Sequence, residues 1–237
     1  MLHILPAIYL QNMTGDDTGE TRVLSLECHN NIVANDQNLQ MAYRNKIITN
    51  PQTGNHITFL QTSTDTDGRL LEMEATYDPH SNEPVAHYHP YQVEDFTILF
   101  GELTVKMDGQ LKILKEGDTL HMPVNKVHAM WNVTDNKAVV NWKVRPALGT
   151  EYLLETSSGL SLDGKTKNGM PNILQIASMA NKFSREFRLT RPPYIIQKIV
   201  FIILTPFAWL FGYRATYKKY IDWPASETDT FSVIHAR

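Results

Sequence analysis

His87 and His89 stand two residues apart, a spacing that on a β-strand sends both imidazoles out of one face. Glu94 follows after Pro90, Tyr91, Gln92 and Val93, enough chain to turn and return a carboxylate to the same place. His128 lies 34 residues beyond Glu94, inside a second strand-like segment. Three imidazoles and one carboxylate suit one divalent first-row transition metal: Fe, Mn, Ni, Co, Cu or Zn. No Cys lies near enough for a soft thiolate site. The competing reading is a loop with solvent-facing histidines, and nine His in 237 residues make an isolated HxH unsurprising. The spaced Glu and the distant His weigh against it.

From Tyr43 onward the pattern is of short strands separated by turn residues, the mark of an all-β sandwich or barrel. Residues 50–55 form a turn, and strands follow at 57–61 and 70–77. In the second of these Leu71, Met73, Ala75 and Tyr77 alternate with Glu72, Glu74 and Thr76, giving one apolar face. Further strands are expected at 96–100, at 103–107, at 111–114 after a type I′ turn on Asp108 and Gly109, and at 117–122, 129–133 and 138–144. Eight or more strands so spaced fit a jelly roll.

Glu94 is followed by six residues and then Gly101, so residues 81–101 carry HxH, a spacer, Glu, six residues and Gly. A second motif runs Gly117, Asp118, Thr119, Leu120, His121, Met122, Pro123, then His128 and Asn132. Together these resemble the two motifs of the cupin superfamily, and in particular quercetin dioxygenase-like cupins. The resemblance implies a double-stranded β-helix (jelly roll) with His87, His89, Glu94 and His128 as metal ligands. Ser81 stands where the first motif usually has Gly, and Asn125 where the second has Gly. Asn accepts a positive φ more readily than other non-Gly residues, so the turn before His128 survives that change.

Three regions follow: a leader (residues 1–42), the cupin barrel (43–148) and a C-terminal helical extension (149–237). The leader shows no persistent period and reads as flexible or as an extra edge strand. Unpaired jelly-roll edges invite strand addition between subunits, so a homodimer is expected, with pairing through the leader as one form of it. Residues 151–155 suggest a short helical piece. Ile173, Ile176, Ala177, Ala180, Phe183 and Phe187 recur at three and four residues as an amphipathic helix ended by Pro192 and Pro193. The tail from Gly164 through Arg214 is similar to that of a group of bacterial single-cupin proteins.

A single Cys, Cys28, excludes an internal disulfide framework and fits a reducing, cytoplasmic setting. Between Lys182 and Lys219 eight basic residues meet one acid, a net +7 in a chain of net −3, so the remainder sums to −10. Such asymmetry suggests an anionic partner for the tail or docking on the protein's own acidic body. Residues 194–213 are the most apolar stretch. Lys198 near its start and Pro206 near its middle argue against spanning, leaving peripheral membrane contact or packing on the barrel or a dimer mate. No recognition helix accompanies the basic tail, so nucleic acid is not an expected partner.

Four ligands on an octahedral ion leave two positions for water, a small-molecule substrate or dioxygen. Glu94 is the ligand with a second, catalytic role, since a carboxylate can take a substrate proton. The resemblance implies a dioxygenase-like reaction on an enolisable or phenolic substrate. A metal-dependent isomerase or cyclase, or a non-catalytic metal and small-molecule binding module, are the alternatives. Met73, Phe96, Met130, Asn132 and Trp142 are candidate pocket walls or core fillers. Gln92 supports the ligands or lies on a solvated loop, Tyr91 caps or covers the site, and His80 and His121 read as surface residues.

Overall fold

A computed structural model describes residues 42–221; the leader apart from Ala42, and with it the edge-strand alternative, lies outside them. Ten strands come first: β1 (Ile47–Asn50), β2 (Asn55–Gln61), β3 (Leu71–Tyr77), β4 (His87–Tyr88), β5 (Val93–Phe100), β6 (Glu102–Met107), β7 (Gln110–Lys115), β8 (Thr119–Met122), β9 (His128–Trp131) and β10 (Ala138–Arg145). Helix α1 (Thr150–Leu162), the small hairpin β11 (Thr166–Lys167) and β12 (Met170–Pro171), helix α2 (Ile173–Lys182), strand β13 (Arg188–Leu189) and helix α3 (Tyr194–Leu210) complete the order. The fold is an all-β double-stranded β-helix with C-terminal α-helices.

Two antiparallel sheets form the barrel, one ordered β1-β2-β3-β10-β5-β8 and the other β13-β4-β9-β6-β7. Alternation decides which residues face inward. On β3 the buried positions are Leu71, Met73, Ala75 and Tyr77, with Glu72, Glu74 and Thr76 between them half-buried. One core joins Phe59, Met73 and Ile98 of the first sheet to Leu103, Leu114 and Met130 of the second. Strand β7 is an edge with only Leu114 buried, and its Lys112 and Lys115 blunt it against further pairing.

Several turns explain single residues. Asp108 and Gly109 both have positive φ (47° and 84°), as a type I′ turn demands. A Cβ on Gly101 would approach the Lys137 carbonyl oxygen at 2.5 Å, so the glycine seven places after Glu94 is sterically required. Asn125 takes φ 62°, the left-handed conformation expected of it, and its N–H donates to the His89 carbonyl at 2.9 Å. Ser81 is also accounted for: its hydroxyl accepts the Asn132 N–H at 2.8 Å and ties the loop before β4 to the end of β9.

The extension departs from its expected form in two places. Helix α1 runs to Leu162, well past the short piece at 151–155. Its buried positions include Glu151, Glu155, Thr156, Ser158 and Gly159, a polar set that hides the period. Gly159 sits under the ring of Tyr220, where a Cβ would come within 2.2 Å. Helix α2 stops at Lys182 although the apolar spacing continues through Phe183 and Phe187. The chain beyond it becomes β13, which pairs with β4 in the register Leu189 opposite His87. The extension is therefore woven into the second sheet beside the HxH strand.

Candidate metal centre

Strand pairing brings the sequence-predicted ligands together. His87 on β4 is the cross-strand partner of His128 on β9, and their rings lie 4.5 Å apart. His89 follows at the end of β4, its ring 5.2 Å from that of His128. One ring nitrogen from each of the three lies within 4.8 Å of the others, a group that can hold a metal ion. Glu94, on β5 of the opposite sheet and 1 % exposed, points its Oε2 at His89 Nε2 (3.3 Å) and His128 Nε2 (3.1 Å). The structure thus gathers all four residues at one place.

Each imidazole is oriented through its other nitrogen. Nδ1 of His87 donates to the Val85 carbonyl (2.9 Å), Nδ1 of His89 to the Glu186 carbonyl (2.6 Å) and Nδ1 of His128 to the Lys126 carbonyl (3.0 Å). A carbonyl only accepts, so these bonds place the proton on Nδ1 and turn the Nε2 lone pair inward, as a metal-ligating histidine requires. His89 Nε2 and Glu94 Oε2 are then buried without a hydrogen-bond partner although 3.3 Å apart. Two lone pairs so placed are costly unless a cation lies between them. The donor set therefore fits a metal.

Burial pushes His87 down to about 3, with the neighbouring His128 and His89 adding to the effect. Burial also works to raise the Glu94 carboxyl, but His89 and His128 together outweigh it and hold the group down at about 2. For His128 burial is likewise opposed, by the Glu94 carboxylate, and the net direction is upward. A carboxylate so deep inside the protein needs positive charge beside it, supplied by a proton on His128 or, with the Nε2 lone pairs free, by a bound cation.

Trp142 on β10 donates its indole N–H to Glu94 Oε1 at 3.0 Å and stacks on Phe96, with centroids 5.9 Å apart. It thus holds the carboxylate while forming wall. The register could have shown this, because Trp142 lies opposite Phe96 and Val144 opposite Glu94 on the same paired strands. Two contributions from the extension carried no comparable signal: the Glu186 carbonyl on His89, and Phe187, stacked on His87 at 4.6 Å.

The four residues open on a cavity of about 790 Å³, walled by Phe96, Met130 and Trp142 from the barrel and by Phe183, Phe187 and Phe201 from the extension. Met73 belongs to the core instead. Asn132 is structural, donating to the Tyr77 and Asn136 carbonyls. Gln92 does not touch the ligands: it is buried and bonds Pro146, Ala147 and Thr150, fixing the turn into α1. His80 and His121 lie outside, paired with Asp135 and Asp95. Tyr91 is 53 % exposed between the cations of Arg185 and Arg188.

Fold and site together define a double-stranded β-helix protein with an internal histidine cluster. The sequence pattern of the family described as "Cupin domain" matches residues 73–143, so the chain carries a cupin domain there. It is 41 % identical over 64 residues to the quercetin 2,3-dioxygenase of Bacillus subtilis (strain 168), a match covering 27 % of this chain and 19 % of that protein. The chain thus matches about a fifth of that relative's length. Among solved structures, a predicted oxalate decarboxylase from Thermotoga maritima is similar at 19 % identity and a TM-score of 0.39, covering 45 % of this chain and 99 % of that one. An RmlC-like cupin from Shewanella frigidimarina is similar at 19 % identity and TM-score 0.39, covering 46 % and 93 %.

Proposed function

We propose that this protein is a metal-dependent, dioxygenase-like oxidoreductase acting on a small enolisable or phenolic substrate, with His87, His89, His128 and Glu94 as ligands to one divalent transition metal. The observation that carries the reading is Glu94: a buried carboxylate with one oxygen held by Trp142 and the other facing two inward-turned imidazoles, beside an apolar cavity. The partial likeness to a quercetin 2,3-dioxygenase supports the reaction class.

A divalent first-row metal held there supplies Lewis acidity and, where redox-active, electron transfer to dioxygen. The protein's own residues do the rest. Phe96, Met130 and Phe187 offer flat, apolar contact to a ring system, and a cavity of about 790 Å³ has room for a substrate of several rings. The Glu94 carboxylate accepts the proton from an acidic substrate hydroxyl. Trp142 N–H keeps that carboxylate in place while its proton affinity changes. The aromatic walls exclude water from the substrate anion so formed.

The test is oxygen uptake by metal-loaded protein on a panel of flavonols and β-diketones, run beside Glu94→Gln. Substrate-dependent uptake that falls by about two or more orders of magnitude in the variant, compared with the parent at matched metal occupancy, is expected. Substrate conversion without oxygen consumption would turn the assignment to an isomerase or cyclase. Tight substrate binding with no conversion would leave a binding module.

A further inference from the structure

Helix α3 is amphipathic in the wrong sense for a surface in water. Its buried residues are Gln197, Phe201 and Ala208, and the helix is tied to α2 by Asn181, which donates to the Phe201 carbonyl at 3.1 Å. On the far side Ile195, Ile199, Ile203 and Leu210, at helical spacing, are 70 %, 56 %, 59 % and 78 % exposed. Ile202, Phe207 and Trp209 beside them are each more than half exposed. No charged side chain interrupts this outer face. Lys198, the helix's one cation, is a turn from the buried Phe201 and so borders the face. A contiguous apolar strip of this size marks an interaction surface.

The charge around the strip identifies its partner. Residues 187–221 contain six cations and no Asp or Glu. Arg188 is stacked on Tyr194 and Lys219 is bound to Asp163, but Arg191, Lys198, Arg214 and Lys218 are exposed. A second copy docked face to face about a two-fold axis would set these cations against their own equivalents, a like-charge contact that costs affinity. An anionic lipid surface would neutralise them while its acyl chains cover the isoleucines. Crossing the bilayer is not available. Seventeen residues make about 25 Å of helix against a hydrocarbon core of about 30 Å, and no helix among the described residues is long and apolar enough to cross.

We infer that α3 docks this protein onto an anionic membrane surface, the helix lying in the plane of the interface with its Ile195, Ile199, Ile203 and Leu210 face in the headgroup–acyl boundary. The inward residues Gln197 and Phe201 line the metal-site cavity, so the outer face can be altered without touching the cavity wall.

The experiment is co-sedimentation of the full chain with vesicles of phosphatidylcholine alone or mixed with phosphatidylglycerol. Binding to the mixed vesicles is expected to exceed binding to neutral ones by at least about tenfold and to weaken as salt rises. Ile199→Asp with Ile203→Asp should lower it by at least about tenfold, with thermal melting and metal content unchanged. Arg191→Glu with Lys218→Glu, which leaves the apolar strip whole, should lower it to the level seen on neutral vesicles. Failure of the parent chain to sediment with anionic vesicles overturns the proposal, as does equal binding to both lipid mixtures. A concentration-dependent dimer abolished by the double Asp variant, without vesicle binding, would assign the face to a second copy instead.

Discussion

The barrel and helix α3 are built from similar apolar residues and put them to opposite uses. On β3 the period of two turns Leu71, Met73, Ala75 and Tyr77 inward and leaves the glutamates outside. On α3 the bulky residues Ile195, Ile199, Ile203 and Leu210 point outward, and the inward side is shared by Gln197, Phe201 and Ala208. A strand in a closed sandwich finds the partner for its apolar face in the opposing sheet, so the sequence pattern satisfies itself within the chain. A helix added late can be apolar for a reason the fold does not contain. The contrast separates apolar residues whose partner the fold supplies from apolar residues left exposed on its surface.

The histidine cluster lies on the barrel side of that divide, and removing one candidate ligand should produce the largest effect. Replacing His89 by Ala leaves Glu94 Oε2 facing one imidazole, that of His128, instead of two and should lower metal affinity by more than about 100-fold, beyond the loss typical of a supporting residue. His121→Ala, on the surface beside Asp95, should leave metal content unchanged. Elemental analysis of the purified proteins decides it, and equal metal loss in both would remove His89 from the ligand set.

Two apolar-to-alanine changes sharpen the same contrast by stability. Met73 is fully buried in the core, so Met73→Ala should cost about 2–5 kcal/mol through lost transfer energy and a residual cavity. Ile203 is 59 % exposed, so Ile203→Ala should stay within about 0.5 kcal/mol in lipid-free solution. Denaturant titration measures both. A large loss at Ile203 would mean that its side chain is covered in the folded protein.

What could be read in the sequence follows the range over which each feature is encoded. The four candidate ligands were legible because strand parity and two local motifs fix them, and most strands because alternation repeats the same signal every few residues. Trp142 was legible in kind but not in role, since its bond to Glu94 depends on the β5–β10 register. The Glu186 carbonyl on His89 was not legible at all: it is a backbone atom 97 residues further along the chain, and every residue type has one. Helix α1 was mostly hidden because it docks by buried polar groups rather than an apolar stripe. Helix α3 was visible as a helix, while which of its faces meets the protein depended on tertiary packing.

The polar docking of α1 leads to the smallest expected effect, a pH dependence at the seam between extension and barrel. Glu151 of α1 has no exposed surface, and its carboxylate accepts from the Ser63 N–H and hydroxyl, each at 2.6 Å. Burial raises its pKa, the Ser63 bonds oppose this, and the Asp65 charge adds to the rise, so that the net shift is upward. A carboxyl whose folded pKa lies above its unfolded value contributes stability that is fully present below the unfolded pKa and is lost as pH rises through the folded one. Melting temperature should therefore fall slightly as pH is raised from the acid side of the carboxylate range. Glu151→Gln imitates the protonated acid, because the amide can donate to the Ser63 hydroxyl while its oxygen accepts the Ser63 N–H. The variant should melt like the parent at acid pH and lose this part of the decline above it. A decline of equal slope in parent and variant would show that Glu151 is ionised throughout and that its two bonds to Ser63 outweigh its burial.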